Sequence, residues 1–142
     1  MSNYSNKASN GRIWFLWNNS FHVELVDCMD QCITCIVSQR MKKLMFSAIY
    51  GWNEGIDKRR LWTHLSSLKA SNMQLPWMMV GDYNVIAHPS KSSNFNGSQV
   101  MNSNMKDFVE SIQHLEVLDH AYNGLLFTWS NHQNSMFLAK KT

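Results

Sequence analysis

The segment WMMVGDYNVI, residues 77–86, joins an apolar run to a polar corner. Residues 77–80 are bulky and apolar, which predicts a buried β-strand. The run ends at Gly81, and Asp82 and Asn84 follow two residues apart. Residues at that spacing in extended backbone project to the same side. We therefore expect a carboxylate beside a carboxamide at a strand end, where layered α/β proteins carry their ligand-binding loops.

Two interpretations of this corner are open on sequence grounds. An aspartate at a strand end can orient or deprotonate a water molecule, and an asparagine amide can donate to a phosphate oxygen without adding charge. Such a pair suits hydrolysis of a phosphate ester. Alternatively, Gly, Asp and Asn are common turn residues, and Asp82 then accepts a hydrogen bond from its own backbone.

The elements around this segment predict a mixed α/β domain. Four short apolar or alternating runs with brief polar connections predict an antiparallel meander of strands, at residues 12–17, 21–26, 31–37 and 44–50. Leucines at helical spacing predict a helix that follows Asp57 as its N-cap and extends to about residue 70. A second amphipathic helix is predicted over Ser103–Leu115, after an exposed loop at 87–100. Further short strands are predicted at residues 117–118, 126–130 and 136–138. Helices packed on a mainly antiparallel sheet are the expected architecture.

A second polar corner follows the fourth strand, at Tyr50-Gly51-Trp52-Asn53. In the order strand, helix, strand, both corners are expected on one rim of the sheet. Tyr50 then donates a hydrogen bond to a phosphate, with Arg59 or Arg60 nearby. The alternative is that Tyr50 covers the core while both arginines are solvated.

Composition limits the classes of protein that fit. The chain has 142 residues, 44% of them hydrophobic, with a formal net charge of +3. The first eleven residues contain no apolar segment, so we expect an intracellular protein of the nucleus or cytoplasm, with neither a secretory signal nor a membrane span. Cys28, Cys32 and Cys35 are expected to be free thiols in a reducing compartment. Zinc binding is the alternative, but Cys32 and Cys35 are three apart in a strand and face opposite sides.

In this order, the residues resemble the endonuclease/exonuclease/phosphatase superfamily, whose fold is DNase I-like. More narrowly, the chain resembles the endonuclease domain of plant non-LTR (LINE-type) retrotransposons. The resemblance covers nearly all of residues 11–131, and individual matches such as GDYN are short. The matching pieces are GRIWFLWN at 11–18, QCITC at 31–35, FSAIYG at 46–51, RLW at 60–62, PW at 76–77, GDYN at 81–84, LD at 118–119 and FTWSN at 127–131, with Leu65, Met105, Phe108, Ile112 and Gly124.

The resemblance implies a metal-dependent phosphodiesterase that nicks DNA with Mg²⁺ or Mn²⁺. Asp82 would orient the attacking water, and Asn84 would contact the scissile phosphate. Tyr50 would support the phosphate in the transition state, and Asn53 matches a family asparagine in the same turn. The implied fold is a partial DNase I-like four-layer α/β sandwich, with mainly antiparallel sheets and two main helices.

The departures from the family pattern are as informative as the matches. The family glutamate that binds the metal on an early strand has no counterpart in residues 1–10, and the closing Ser-Asp-His motif does not occur. We therefore expect a catalytically inactive remnant, truncated at both ends. Residues 1–10 are expected to form a disordered polar tail and residues 11–142 the incomplete endonuclease domain.

Three alternatives remain open beside this expectation. The first is an active enzyme in which Glu54 or Asp57 replaces the lost ligand. The second is a non-catalytic nucleic-acid-binding remnant with a basic contact set, whose own alternative is a group of solvated charges. The third is a plain globular protein without a ligand. The basic contact set of the second alternative comprises Lys42, Lys43, Arg59, Arg60, Lys140 and Lys141.

Overall fold

The structure, a computed structural model, describes residues 2–5, 11–71, 74–121, 123, 128–130, 132 and 138–139. Eight strands and two α-helices lie within these residues, with a short 3₁₀ turn at Pro89–Lys91. In chain order they are β1 Ser2–Ser5, β2 Phe15–Asn18, β3 His22–Met29, β4 Cys32–Gln39, β5 Lys42–Tyr50, α1 Gly55–Ser71, β6 Trp77–Asp82, α2 Ser103–Leu115, β7 Trp129–Ser130 and β8 Leu138–Ala139.

The main sheet has four strands in the order β3-β4-β5-β6. The first three run antiparallel, and β6 lies parallel to β5. The parallel pair is joined through α1, because a parallel neighbour needs a crossover rather than a hairpin. The prediction of a mixed α/β protein with two helices is confirmed, and so is the expectation that β5 and β6 end on the same rim.

The first predicted strand does not belong to the antiparallel meander. Its residues Phe15–Asn18 pair instead with Ser2–Ser5, in a separate two-stranded sheet. The expectation of a disordered tail therefore fails for residues 2–5. Antiparallel pairing uses backbone N–H and C=O groups, so a polar segment without an apolar pattern can still supply a strand.

Three smaller expectations also differ from the structure. Asp57 lies inside the first turn of α1 rather than at its N-cap, since the helix begins at Gly55. The segment 87–100 is not wholly exposed, because Pro89 and Ser92 are buried around the 3₁₀ turn. Residues 117–118 are not a strand. The end of α2 explains the last point: the chain turns away through Glu116, whose φ is 56°.

The predicted strands near the end of the chain are only partly described. β7 and β8 are two-residue strands that pair antiparallel. β7 lies within the predicted range 126–130, and β8 begins at the last residue of the predicted range 136–138. Residues 126–127 and 136–137 lie outside the described part of the chain.

Apolar side chains cover both faces of the sheet. The face toward α1 and α2 carries a cluster that includes Leu61, Leu65 and Phe108. The opposite face carries a smaller cluster in which Phe15 packs edge-on against Phe46, with ring centroids 5.3 Å apart. Strand β4 is central and contributes side chains to both faces, so it is buried on both sides.

The three cysteines are free, and two of them lie on opposite faces of the sheet, as predicted. Cys32 belongs to the cluster under the helices and Cys35 to the cluster on the other face. Burial is the main cause that raises the pKa of each of these two thiols to about 11. Cys28 is only half-buried.

Thiol reactivity is expected to follow this difference in burial. At pH 8 a thiol of pKa 11 is thiolate in about one molecule in a thousand, and only the thiolate attacks a disulfide reagent. Titration of the native protein with DTNB should therefore show Cys28 reacting first, with Cys32 and Cys35 reacting only after denaturant is added. Cys28→Ser should remove the fast phase. Rapid reaction of all three thiols in the native protein would contradict this assignment.

None of the helices in the described residues is long and apolar enough to cross a membrane.

Candidate functional site at the ends of β5 and β6

The two polar corners predicted from the sequence meet at one edge of the sheet. Tyr50 is the last residue of β5 and Asp82 the last of β6, and the two are register partners in the parallel pair. Register partners on neighbouring strands point to the same face. Tyr50 and Asp82 thus lie side by side on the face opposite the two helices. We call the ends of β5 and β6 with residues 50–53 and 82–84 the rim.

Close backbone contact holds the two corners of the rim together. The Gly51 N–H donates to the Asp82 carbonyl at 2.8 Å. A Cβ atom at Gly51 would lie 2.6 Å from the Tyr83 carbonyl oxygen, and one at Gly81 would overlap the Ile49 carbonyl. Glycine is therefore required at both positions, since any side chain would push the strand ends apart.

The side chains of Asp82 and Asn84 both contribute to the shape of the corner. Asp82 Oδ1 accepts from the Asn84 backbone N–H at 2.8 Å, so the turn interpretation of Asp82 is confirmed. The Asn84 amide nitrogen Nδ2 donates to the Gly51 carbonyl at 2.7 Å. Asn84 also has a φ of 50°, which asparagine tolerates better than most residues.

Tyr83 anchors the corner from the opposite side. Its side chain is buried against Trp62 and Phe108, with ring centroids at 6.2 and 5.4 Å. Burial raises the pKa of its phenol well above the usual value. Because Tyr83 points into the helix-side core, its neighbour Asp82 points away from the helices.

A lysine that the sequence analysis missed donates a hydrogen bond to the loop at Asn84 from the helix side of the sheet. Lys58 in α1 is fully buried, at 0% exposed, and its Nζ donates to the Asn84 carbonyl at 2.6 Å. One sequence signal was present: Lys58 occupies the same helical stripe as Leu61, Leu65 and Leu68, where an apolar residue is expected. A charged residue in a core stripe indicates a specific buried partner.

Neither of the arginines expected near the rim is placed there as predicted. Arg59 pairs with Asp107 of α2, with Nε and Oδ2 2.8 Å apart. Arg60 is exposed, on the side of α1 opposite the buried stripe. Asn53 lies in the loop after Trp52 and is also exposed. Its backbone position is at the rim, but the structure assigns its side chain no role.

The arginine at the rim is Arg12, which sequence reasoning did not single out. Its guanidinium carbon lies 5.4 Å from the ring centroid of Tyr50 and 5.1 Å from that of Trp52. Both contacts are in the range of cation–π interactions. They join residues almost forty positions apart in the chain, so no local pattern signals them.

The residues that the structure describes do not fit the metal ion that the resemblance implies. In residues 11–71 and 74–121, and in the short described stretches beyond them, no group of three or more His, Cys, Asp or Glu side chains is placed to hold an ion. Glu54 and Asp57, the two candidate replacement ligands, are both exposed. Mg²⁺ and Mn²⁺ prefer oxygen ligands, and one carboxylate at the rim is a poor site for either.

The basic residues proposed for nucleic-acid binding do not form one surface. Lys42 and Lys43 are at the start of β5, about 23–26 Å along the strand from Tyr50. Arg59 and Arg60 are on α1, on the other side of the sheet from the Tyr50 side chain. Lys140 and Lys141 lie outside the described residues.

Comparison with known protein families finds none that matches the chain, and a search of curated proteins finds no match either.

Proposed function

We propose that the chain is a retrotransposon-derived remnant of a metal-dependent DNA endonuclease, which keeps the phosphate-facing part of the site but does not hydrolyse DNA. The observation that carries the proposal is the meeting of Tyr50 and Asp82 as register partners, with Asn84 linked to Gly51. The resemblance assigns Tyr50 and Asn84 to the phosphate and Asp82 to the attacking water, and these residues come from two distant segments to one rim.

The chemistry of the rim suits recognition of a phosphodiester. Tyr50 has a hydroxyl group and Asn84 a carboxamide, and both are neutral groups of the kind that hydrogen-bond to phosphate oxygens. Asp82 would orient a water molecule beside the phosphate in an active relative. Here Asp82 is engaged with the Asn84 backbone, so its first role is to hold the loop.

The chain lacks the groups that would make hydrolysis fast. Residues 1–10 contain no acidic residue, and the sequence has no Ser-Asp-His. A bound metal contributes several kcal/mol of transition-state charge stabilisation, and each 1.4 kcal/mol corresponds to about tenfold in rate. Phosphate binding without turnover is the expected result.

The DNase I-like four-layer sandwich is part of the same proposal. In that architecture a second sheet packs on the face opposite the helices. Met78 and Val80, on that face of β6, are 46% and 50% exposed. Apolar side chains left open on a sheet face support a second layer, since exposed apolar patches mark places where another surface packs.

Two readouts on the same protein test the proposed function. Supercoiled plasmid incubated with the protein and Mg²⁺ or Mn²⁺ should stay intact, both with the wild-type chain and with Asp82→Ala. Titration of a short DNA duplex into ¹⁵N-labelled protein should shift the backbone amide signals of Tyr50, Gly51 and Asn84 before those of α2.

Each readout has its own outcome that would contradict the proposal. Nicking by the wild-type protein that disappears in Asp82→Ala would show an active enzyme and contradict the inactivity. Amide shifts that begin elsewhere on the chain, or no shifts at any DNA concentration, would contradict the phosphate-facing role of the rim.

A further inference from the structure

We infer that Arg12, whose guanidinium lies over the rings of Tyr50 and Trp52, is the anion-binding group of the rim, and that its ligand is a phosphate of a nucleic-acid strand. This inference rests on the proposed phosphate-facing role of the rim and names the residue that supplies its positive charge. The sequence pattern does not indicate this role for Arg12, because the residue lies outside both polar corners. The contacts that place it there are tertiary.

The position of Arg12 is set by the two rings. Its guanidinium lies 5.4 Å from the centre of Tyr50, and Tyr50 is the register partner of Asp82. The second ring, Trp52, is 5.1 Å away and belongs to the same loop. Arg12 itself is exposed. Its charge is therefore at the rim and accessible from solvent.

The aromatic support under Arg12 is itself fixed by a buried group. Trp52 N–H donates to Gln31 Oε1 at 2.8 Å, and Gln31 Nε2 donates to the Asp57 carbonyl in α1 at 3.0 Å. Gln31 is only 1% exposed. The Trp52 indole Nε1 also donates to Asp30 Oδ2 at 3.3 Å. Two hydrogen bonds thus hold Trp52, and a cation on a fixed support loses little conformational entropy when it binds a ligand.

The chemistry of the group favours phosphate. A guanidinium is planar, always charged and matches two phosphate oxygens at once, and it can stack on aromatic rings while its edge binds an anion. Tyr50 and Asn84 belong to the same rim and are neutral, so Arg12 supplies the positive charge that they lack. Asp30 hydrogen-bonds to Trp52 and Asp82 is the register partner of Tyr50, so two carboxylates also lie near this arrangement.

The experiment compares variants of equal net charge in binding a short fluorescein-labelled DNA, single-stranded and duplex, by anisotropy at several salt concentrations. Arg12→Ala is expected to weaken binding about threefold to tenfold at low salt. It should also reduce the slope of log Kd against log salt by about 0.7 for the single strand or 0.9 for the duplex, the value for one lost phosphate contact. Arg60→Ala, with the same loss of charge on the far side of α1, should change neither quantity.

Two further variants separate charge from geometry. Arg12→Lys keeps the charge but not the planar fork, so it should keep the salt slope and lose part of the affinity. Trp52→Leu removes one supporting ring, and it should weaken binding while circular dichroism stays unchanged.

Equal affinity and slope for Arg12→Ala and Arg60→Ala would overturn the inference, as would the absence of binding by the wild-type protein. Inorganic phosphate that competes as well as DNA would also overturn it, since the site would then bind a free anion. Plasmid nicking bears on the inactivity alone, so failure there is distinguishable from failure here.

Discussion

Gly81→Ala is expected to lower the free energy of unfolding by about 2–4 kcal/mol, a large effect for the addition of one methyl group. The residue has a φ of 149°, and a Cβ there would overlap the carbonyl oxygen of Ile49 on the neighbouring strand. The atom in the way is backbone, so no side-chain rotation can relieve the overlap. The strand ends must separate, and Asp82 then moves away from Tyr50. Urea unfolding followed by tryptophan fluorescence measures the change.

Gly97 supplies the matched control for this prediction. It also has a positive φ, of 85°, but a Cβ there would meet nothing within 4 Å. Gly97→Ala therefore carries only the conformational cost of an L-residue at positive φ, about 1 kcal/mol. If the two variants unfold at the same urea concentration, the overlap with Ile49 is not what Gly81 avoids.

Lys58→Ala is expected to lower the free energy of unfolding by about 3 kcal/mol. The substitution removes a fully buried side chain and leaves a cavity between α1 and the loop of residues 83–85. It also leaves the Asn84 carbonyl without the amine that donates to it at 2.6 Å. Both losses act on the same loop, so the rim should weaken together with the core. Urea unfolding gives the stability, and DNA anisotropy gives the effect on the rim.

Two variants show which of these losses matters. Lys58→Met keeps most of the volume but not the donor, so its stability should lie between wild type and Lys58→Ala. Lys69→Ala removes a lysine that also donates across to α2, at 2.9 Å to the His114 carbonyl and 2.7 Å to Glu116. Glu116 is exposed, so this loss should lower the free energy of unfolding much less than the loss at Lys58 does. A cost at Lys69 as large as that at Lys58 would contradict the role of burial.

Much of the rim was predictable because it follows from chain order. The order strand, helix, strand predicts that both corners lie on one rim of the sheet, and the structure shows that they do so through a parallel β5–β6 pair. The spacing of Asp82 and Asn84 identifies the corner. The apolar stripe predicts the bounds of α2 as the structure has them, since a 3.6-residue period is visible in any single helix.

The groups that give the rim its charge were not predictable in this way. Lys58 reaches Asn84 across 26 positions, and Arg12 reaches Tyr50 across 38. The arginines that lie closest to the rim in sequence, Arg59 and Arg60, face α2 and solvent instead. Closeness in sequence gave the wrong position for these two arginines, because the direction of a helical side chain depends on which face of the helix is buried.

The amino-acid sequence by itself determined the element types of the main sheet and the two helices, the two strand-end corners and the placement of two cysteines on opposite faces of one strand. These properties depend on backbone period and local conformational preference, which neighbouring residues establish between them. Only the tertiary structure decided that Ser2–Ser5 pairs with Phe15–Asn18, that Lys58 is buried and that Arg12 lies over two aromatic rings. Such contacts form when packing brings distant segments within a few ångströms, and that proximity leaves no periodic trace in the sequence.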